Sequence, residues 1–93
     1  MAKEVIKKDG TKEPFDAGKI RNSIAAAAQR TDLSEERQNE VVEQVASVVI
    51  GAVEEREEVA TSEIRERILS ELDIVEPAVS DAWRKYDEEK KKT

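Results

Sequence analysis

The stretch EVIKKDGTKEPFDAGKI, Glu4 to Ile20, carries the signals that decide the fold of this 93-residue chain. Two short extended runs, Glu4 to Lys8 and Thr11 to Phe15, flank Asp9-Gly10. An Asp-Gly pair between such runs is the strongest local signal for a two-residue type I′ hairpin. Gly10 supplies positive φ without a Cβ to clash. Pro14 has no N–H to give to a ladder, which predicts an edge strand. With Asp9 and Gly10 as the loop, Lys8 faces Thr11 and Lys7 stands opposite Lys12, a like-charge pair that destabilises the hairpin unless an anion intervenes. A plainer use for edge lysines is to block strand pairing between molecules.

Asp16 follows where a helix N-cap belongs, and Ile20, Ile24, Ala27 and Ala28 recur at helical spacing, predicting a first helix over about Ala17 to Gln29. Gly18, a poor helix former, has no evident reason to sit near its start. Ser34 and the acids behind it open a second, longest helix over about Glu35 to Glu55, with Val41, Val45, Val48, Val49 and Val53 as its stripe. The run REEVATSE breaks the pattern. Thr61 or Ser62 then caps a third helix carrying Ile64, Ile68, Leu69 and Leu72, and Pro77 starts a fourth with Val79, Ala82, Trp83 and Tyr86 on one apolar face. Trp83 and Tyr86 read as packing residues. The expectation is an α+β fold, a short N-terminal β-hairpin packed on four α-helices, in one domain over residues 1–93 with its core over about 4–87 and a charged tail over 88–93.

Composition narrows the chemistry. Cysteine and histidine are both absent, which removes disulfides, thiolate and imidazole zinc sites, cysteine nucleophiles and every histidine-dependent triad. No Gly-x-x-x-x-Gly-Lys-[Ser/Thr] loop or dinucleotide fingerprint is present. No apolar run approaches the roughly 20 residues that span a bilayer, so a soluble cytoplasmic protein without membrane contact is expected. Residues 1–30 hold seven bases against four acids, residues 31–89 eighteen acids against six bases, and the chain nets -6. Such an acidic middle repels a polyanion, which disfavours nucleic acid but leaves a small anion possible at the basic N-terminal end. The many carboxylates read as solvated helix faces.

In order and spacing, Val5 to Tyr86 resembles the ATP-cone domain. EVIKKDGTKEPFDAGKI is similar to that family's Val-x-Lys-Arg-Asp-Gly opening with its later Glu, Phe-Asp and Lys-Ile, VATSEIRERILSEL to its Thr-x-Glu-Ile segment, and VSDAWRKY to its closing helix. Lys8 and Asp87 depart from it, standing where the family commonly shows Arg. The resemblance implies a non-enzymatic regulatory domain that senses ATP or dATP between hairpin and helices and acts on a protein partner or through self-association. The family is associated with ribonucleotide reductase and the zinc-ribbon repressor of reductase genes. It further implies that Lys7 and Lys8 reach the phosphates with Lys19 in support, that Glu13 and Asp16 face the adenine, that Val5 lines it, that Ile20 belongs to the nucleotide site, and that Thr61 lies near the sugar or phosphates. Mg²⁺ enters, if at all, through the phosphates, and Lys90 is positioned to reach back from the tail. The alternative is a protein-interaction module of the same fold that has lost nucleotide binding.

Overall fold

The turn that opens the fold is one residue longer than the Asp-Gly signal predicts. A computed structural model describes residues 4–91, with side chains over 4–89, so Lys90 lies outside the described side chains. Strand β1 (Glu4–Ile6) pairs antiparallel with β2 (Lys12–Pro14) in the register Glu4 to Pro14, Val5 to Glu13 and Ile6 to Lys12. The Lys7 N–H donates to Thr11 O at 2.8 Å and the Gly10 N–H to Lys7 O at 2.9 Å, so Lys8, Asp9 and Gly10 form a three-residue loop. That is the type I turn plus left-handed residue, with Gly10 at φ 88° as the only described residue of positive φ. Asp9 stays at negative φ because its carboxylate accepts from the Thr11 N–H at 3.0 Å and the Thr11 hydroxyl at 2.6 Å. The hydroxyl, then the amide, holds the Asp9 carboxyl below its ordinary range. The expected Lys7–Lys12 opposition is therefore wrong. Lys7 shares the inner face with Val5, whereas Lys12 lies on the outer face and pairs with Glu58 at 2.9 Å.

A third strand, β3 (Glu58–Ala60), lies parallel to β1 in the register Glu4 to Glu58, Val5 to Val59 and Ile6 to Ala60, giving the order β2-β1-β3. The sequence shows only a break there. Val5 and Val59 point inward, at 6% and 1% exposure, and seat the sheet on the helices.

The helices are α1 (Ala17–Gln29), α2 (Glu35–Val53), α3 (Thr61–Val75) and α4 (Pro77–Lys91). Asp16 caps α1 by accepting from the Gly18 N–H at 2.9 Å. A Cβ on Gly18 would stand 3.1 Å from that same Asp16 oxygen, which gives the glycine its reason: it leaves room for the cap. Ser34 caps α2 through the Arg37 N–H at 3.2 Å. Neither Thr61 nor Ser62 caps α3. The cap position is Ala60, the last residue of β3, and it has no side chain to offer, so the strand runs directly into the helix and Thr61 becomes its first residue.

The core is aliphatic, with Ile24, Ala28, Val41, Val45, Ala46, Val49, Val53, Leu72 and Val79 at 0 or 1% exposure. Where α3 meets α4, Arg84 donates two hydrogen bonds to Asp73 at 2.9 and 2.8 Å, and the buried Ser80 hydroxyl donates a third at 2.6 Å. These donors, Arg84 first, pull the Asp73 carboxyl down to about 2. Trp83 is half-buried against the core. Tyr86 is 44% exposed, with the Arg30 guanidinium 5.1 Å from its ring centre, so it stacks on a cation at the surface rather than packing inside. Among the described residues no helix is long and apolar enough to cross a membrane.

Candidate functional site

Between the inner face of the sheet and helices α1, α3 and α4 the structure leaves a cavity of about 190 Å³. Val5 reaches it from β1, Phe15 from the β2–α1 link, Ile20 from α1, Ile64 and Ile68 from α3, and Trp83 from α4. These side chains converge because the hairpin leads within two residues into α1, while β3, paired to β1, leads directly into α3. The parallel strand missed in the sequence is therefore what fixes α3 against the hairpin. Drug-sized ligands fill pockets of roughly 300 to 1,000 Å³, so this apolar space suits one flat ring system rather than a whole nucleotide.

Polar groups gather at the rim. Glu13, on β2, accepts from Lys7 at 3.2 Å and from Lys19 at 3.5 Å, so one carboxylate is the shared counter-ion of two half-exposed lysines. The Lys7 contact, with Lys19 behind it, holds the Glu13 carboxyl below its ordinary range. Asp16 also borders the cavity, with one carboxylate oxygen committed to the helix cap. Thr61, at the N-terminal end of α3, completes the rim together with Ser23.

A second groove of about 450 Å³ runs on from the cavity, and the two share Thr61, Arg65 and Trp83 as their common wall. Lys8 lines this groove from the hairpin turn, with Ser62 from the first turn of α3. Of the residues singled out from the sequence, Val5, Glu13, Asp16, Lys19, Ile20 and Thr61 meet at the cavity, Lys8 borders the groove, and Lys7 joins through Glu13.

Two residues at this wall escaped the sequence reading. Arg65 sits four positions after Thr61 and so shares its helix face, a spacing that was readable. Trp83 read as packing alone, yet it borders both spaces. Among the described residues no cluster of carboxylates is arranged to hold a metal ion.

The ATP cone domain model matches residues 3–92. The transcriptional repressor NrdR of Caldicellulosiruptor bescii is 37% identical over 68 residues, which cover 73% of this chain and 43% of that protein. The repressors of the same name from Caldicellulosiruptor saccharolyticus and Lactobacillus delbrueckii subsp. bulgaricus are each 35% identical over the same length and shares. The match thus spans less than half the length of these relatives. A hairpin leading into a helical bundle, a ring-sized cavity between them and a family match over nearly every residue lead to one assignment: the chain belongs to the ATP cone domain family.

Proposed function

We propose that this chain is a cytoplasmic regulatory module that binds ATP or dATP and passes its occupancy to a protein partner or to a second copy of itself, without catalysing a reaction. The observation that carries the reading is the junction of a ring-sized apolar cavity with a rim of three lysines, Lys7, Lys8 and Lys19. An adenine fits the cavity between Val5, Ile20 and Trp83. Its exocyclic amino group donates to Glu13, with Asp16 at the same edge, where the carbonyl oxygen of a guanine would meet carboxylate oxygen instead.

In this reading the lysines exchange partners. Lys7 and Lys19 leave Glu13 for phosphate oxygens, and the released carboxylate becomes the base reader. Lys8 supports the outer phosphates from the turn. Thr61 lies where α3 begins, and the positive end of that helix favours an anion beside it. A Mg²⁺ ion, where present, would be held by the phosphates and water. The relatives named as transcriptional repressors support a regulatory role over a catalytic one.

Calorimetric titration with ATP, dATP and GTP tests the reading. ATP and dATP should bind and GTP should bind much more weakly. Ligand at a hundredfold its dissociation constant should stabilise the fold by about 2.7 kcal/mol. No heat with millimolar ATP and dATP would leave the interaction module as the function, and equal affinity for GTP would remove Glu13 as the base reader.

A further inference from the structure

Arg65 is bound in a way that leaves it incomplete. Its Nη2 donates to Asp87 Oδ2, which ties α3 to the second half of α4. Its Nε is buried and makes no hydrogen bond. In a guanidinium the Nε–H and one Nη2–H point the same way and form an edge that fits two oxygens of one anion. Asp87 fills half of that edge. The unused half is a desolvated donor, the kind of group that folded proteins rarely leave unpaired. Arg65 also stands in the wall between the cavity and the groove, with Lys8, Thr61 and Ser62 around the same groove. Glu66 borders it too, so an anion there depends on both cations.

We propose that Arg65 is the group that senses the outer phosphates of the bound nucleotide, exchanging Asp87 for a pair of phosphate oxygens. The inference rests on the nucleotide reading above and adds a regulatory step to it. With a triphosphate in place, Lys8 and Arg65 close on its distal end from the hairpin and from α3. Asp87 is then released, and the link between α3 and the far half of α4 opens. A monophosphate seats its base and sugar in the same way but lacks the outer phosphates that replace Asp87, and so leaves the link shut. The state of α4 thereby reports the number of phosphates.

The test is titration of ATP and AMP into the parent chain, Arg65→Gln and Asp87→Asn, with each variant's fold checked by circular dichroism. Arg65→Gln should weaken ATP about tenfold, the loss of one charge-assisted contact, and leave AMP within about twofold. Asp87→Asn should tighten ATP about threefold by removing the competing charged partner, again with AMP unchanged. An unaltered ratio of ATP to AMP affinity in Arg65→Gln overturns the proposal. So does weaker ATP binding in Asp87→Asn, because Asp87 would then orient Arg65 in the complex rather than compete for it. A parent chain that binds neither nucleotide removes the nucleotide reading itself, whereas a parent that binds both with variants that match it removes only the exchange. Should Arg65→Gln fail to fold, the direction of the Asp87→Asn effect still decides.

Discussion

Leu72→Ala and Ile74→Ala remove side chains of nearly equal size two residues apart on one helix, and their costs should differ almost completely. Leu72 has 0% exposure and Ile74 has 78%. The three carbons lost at Leu72 are worth about 2.4 kcal/mol at roughly 0.8 kcal/mol each. The helices around it leave a partial cavity, which raises the total to about 3 to 4 kcal/mol, within the usual range for a buried leucine. A domain of this length holds only about 5 to 14 kcal/mol of stability, so the loss consumes a large share of it. At roughly 4 to 8 °C per kcal/mol, the melting temperature should fall by about 12 to 30 °C. Ile74→Ala exchanges an exposed β-branched residue for the best helix former and should stay within about 0.5 kcal/mol of the parent. Thermal melts by far-UV circular dichroism, backed by urea midpoints, read both variants. Losses within 1 kcal/mol of each other would show that α3 does not present Leu72 inward and Ile74 outward, and the walls of the cavity, which depend on the same helix phase, would have to be redrawn.

Two other outcomes follow from the sheet and from the α3–α4 junction. On the outer face Glu4 lies directly across from Glu58, and Lys12 sits against both, its ammonium held protonated above the usual lysine range first by its hydrogen bond to Glu58 and then by the two carboxylates. Lys12→Glu should therefore lower the melting temperature of the empty protein, less so in high salt; a more stable variant would restore the two-residue turn. At the junction, the folded Asp73 carboxyl sits at about 2 against an ordinary 3.8. A depressed folded value means stability that is fully present above the ordinary value and is lost as pH falls from about 4 to about 2. Asp73→Asn should thus be less stable than the parent at neutral pH and approach it by pH 2, and a gap that persists unchanged at pH 2 would show that the carboxylate charge is not what matters there.

The helices were legible because their apolar residues repeat at 3.6 and their ends carry chemical marks. Asp16, Ser34 and Pro77 open α1, α2 and α4 where the sequence placed them. Helix α2 stops at Val53, short of the expected Glu55, because carboxylates at Glu54 and Glu55 face the negative end of the helix dipole. Strand β3 was not legible. Three residues between charged neighbours carry no periodic signal, and what makes Glu58–Ala60 a strand is its pairing with β1, more than fifty positions away. The turn was misread by one residue although its chemistry was visible: an Asp two positions before a Thr can bond it locally, and that bond keeps Asp9 out of the positive φ that a two-residue turn requires. Helical spacing placed Tyr86 on an apolar stripe, but the stripe outlasts the core, and there the ring meets Arg30 at the surface. The candidate site was reached differently. Nothing in local sequence distinguishes Glu13 or Thr61 from other surface residues, so the family pattern brought them forward. Arg65 lies one helical turn beyond Thr61, a readable spacing, but only the wall that it forms shows its place beside the cavity.

A protein of net charge -6 is an unpromising host for a polyanion, yet the site does not experience that total. At physiological ionic strength charges beyond about 8 Å are largely screened, so an approaching phosphate would respond mainly to the hairpin and the starts of α1 and α3, where Lys7, Lys8, Lys19 and Arg65 lie. Each of the paired cations holds a carboxylate in the described state: Lys7 and Lys19 share Glu13, and Arg65 has Asp87. Such half-exposed ion pairs contribute little to folding, because solvent screens the attraction and ordering the side chains opposes it. Breaking them for a phosphate therefore costs little, while the new contacts are charge-assisted and partly fork-shaped, the stronger class of hydrogen bond. The carboxylates also keep the cations from repelling one another when no anion is bound, so the empty fold avoids a cluster of like charge. Under the proposed function Glu13 and Asp87 would act as placeholders, and the two would differ in what their release achieves. In the proposed function Glu13 would turn from counter-ion to base reader within the same pocket. Asp87 belongs to α4, so in the proposed exchange its release would change how one helix is held against another, the step through which occupancy of the pocket would reach the surface of the domain.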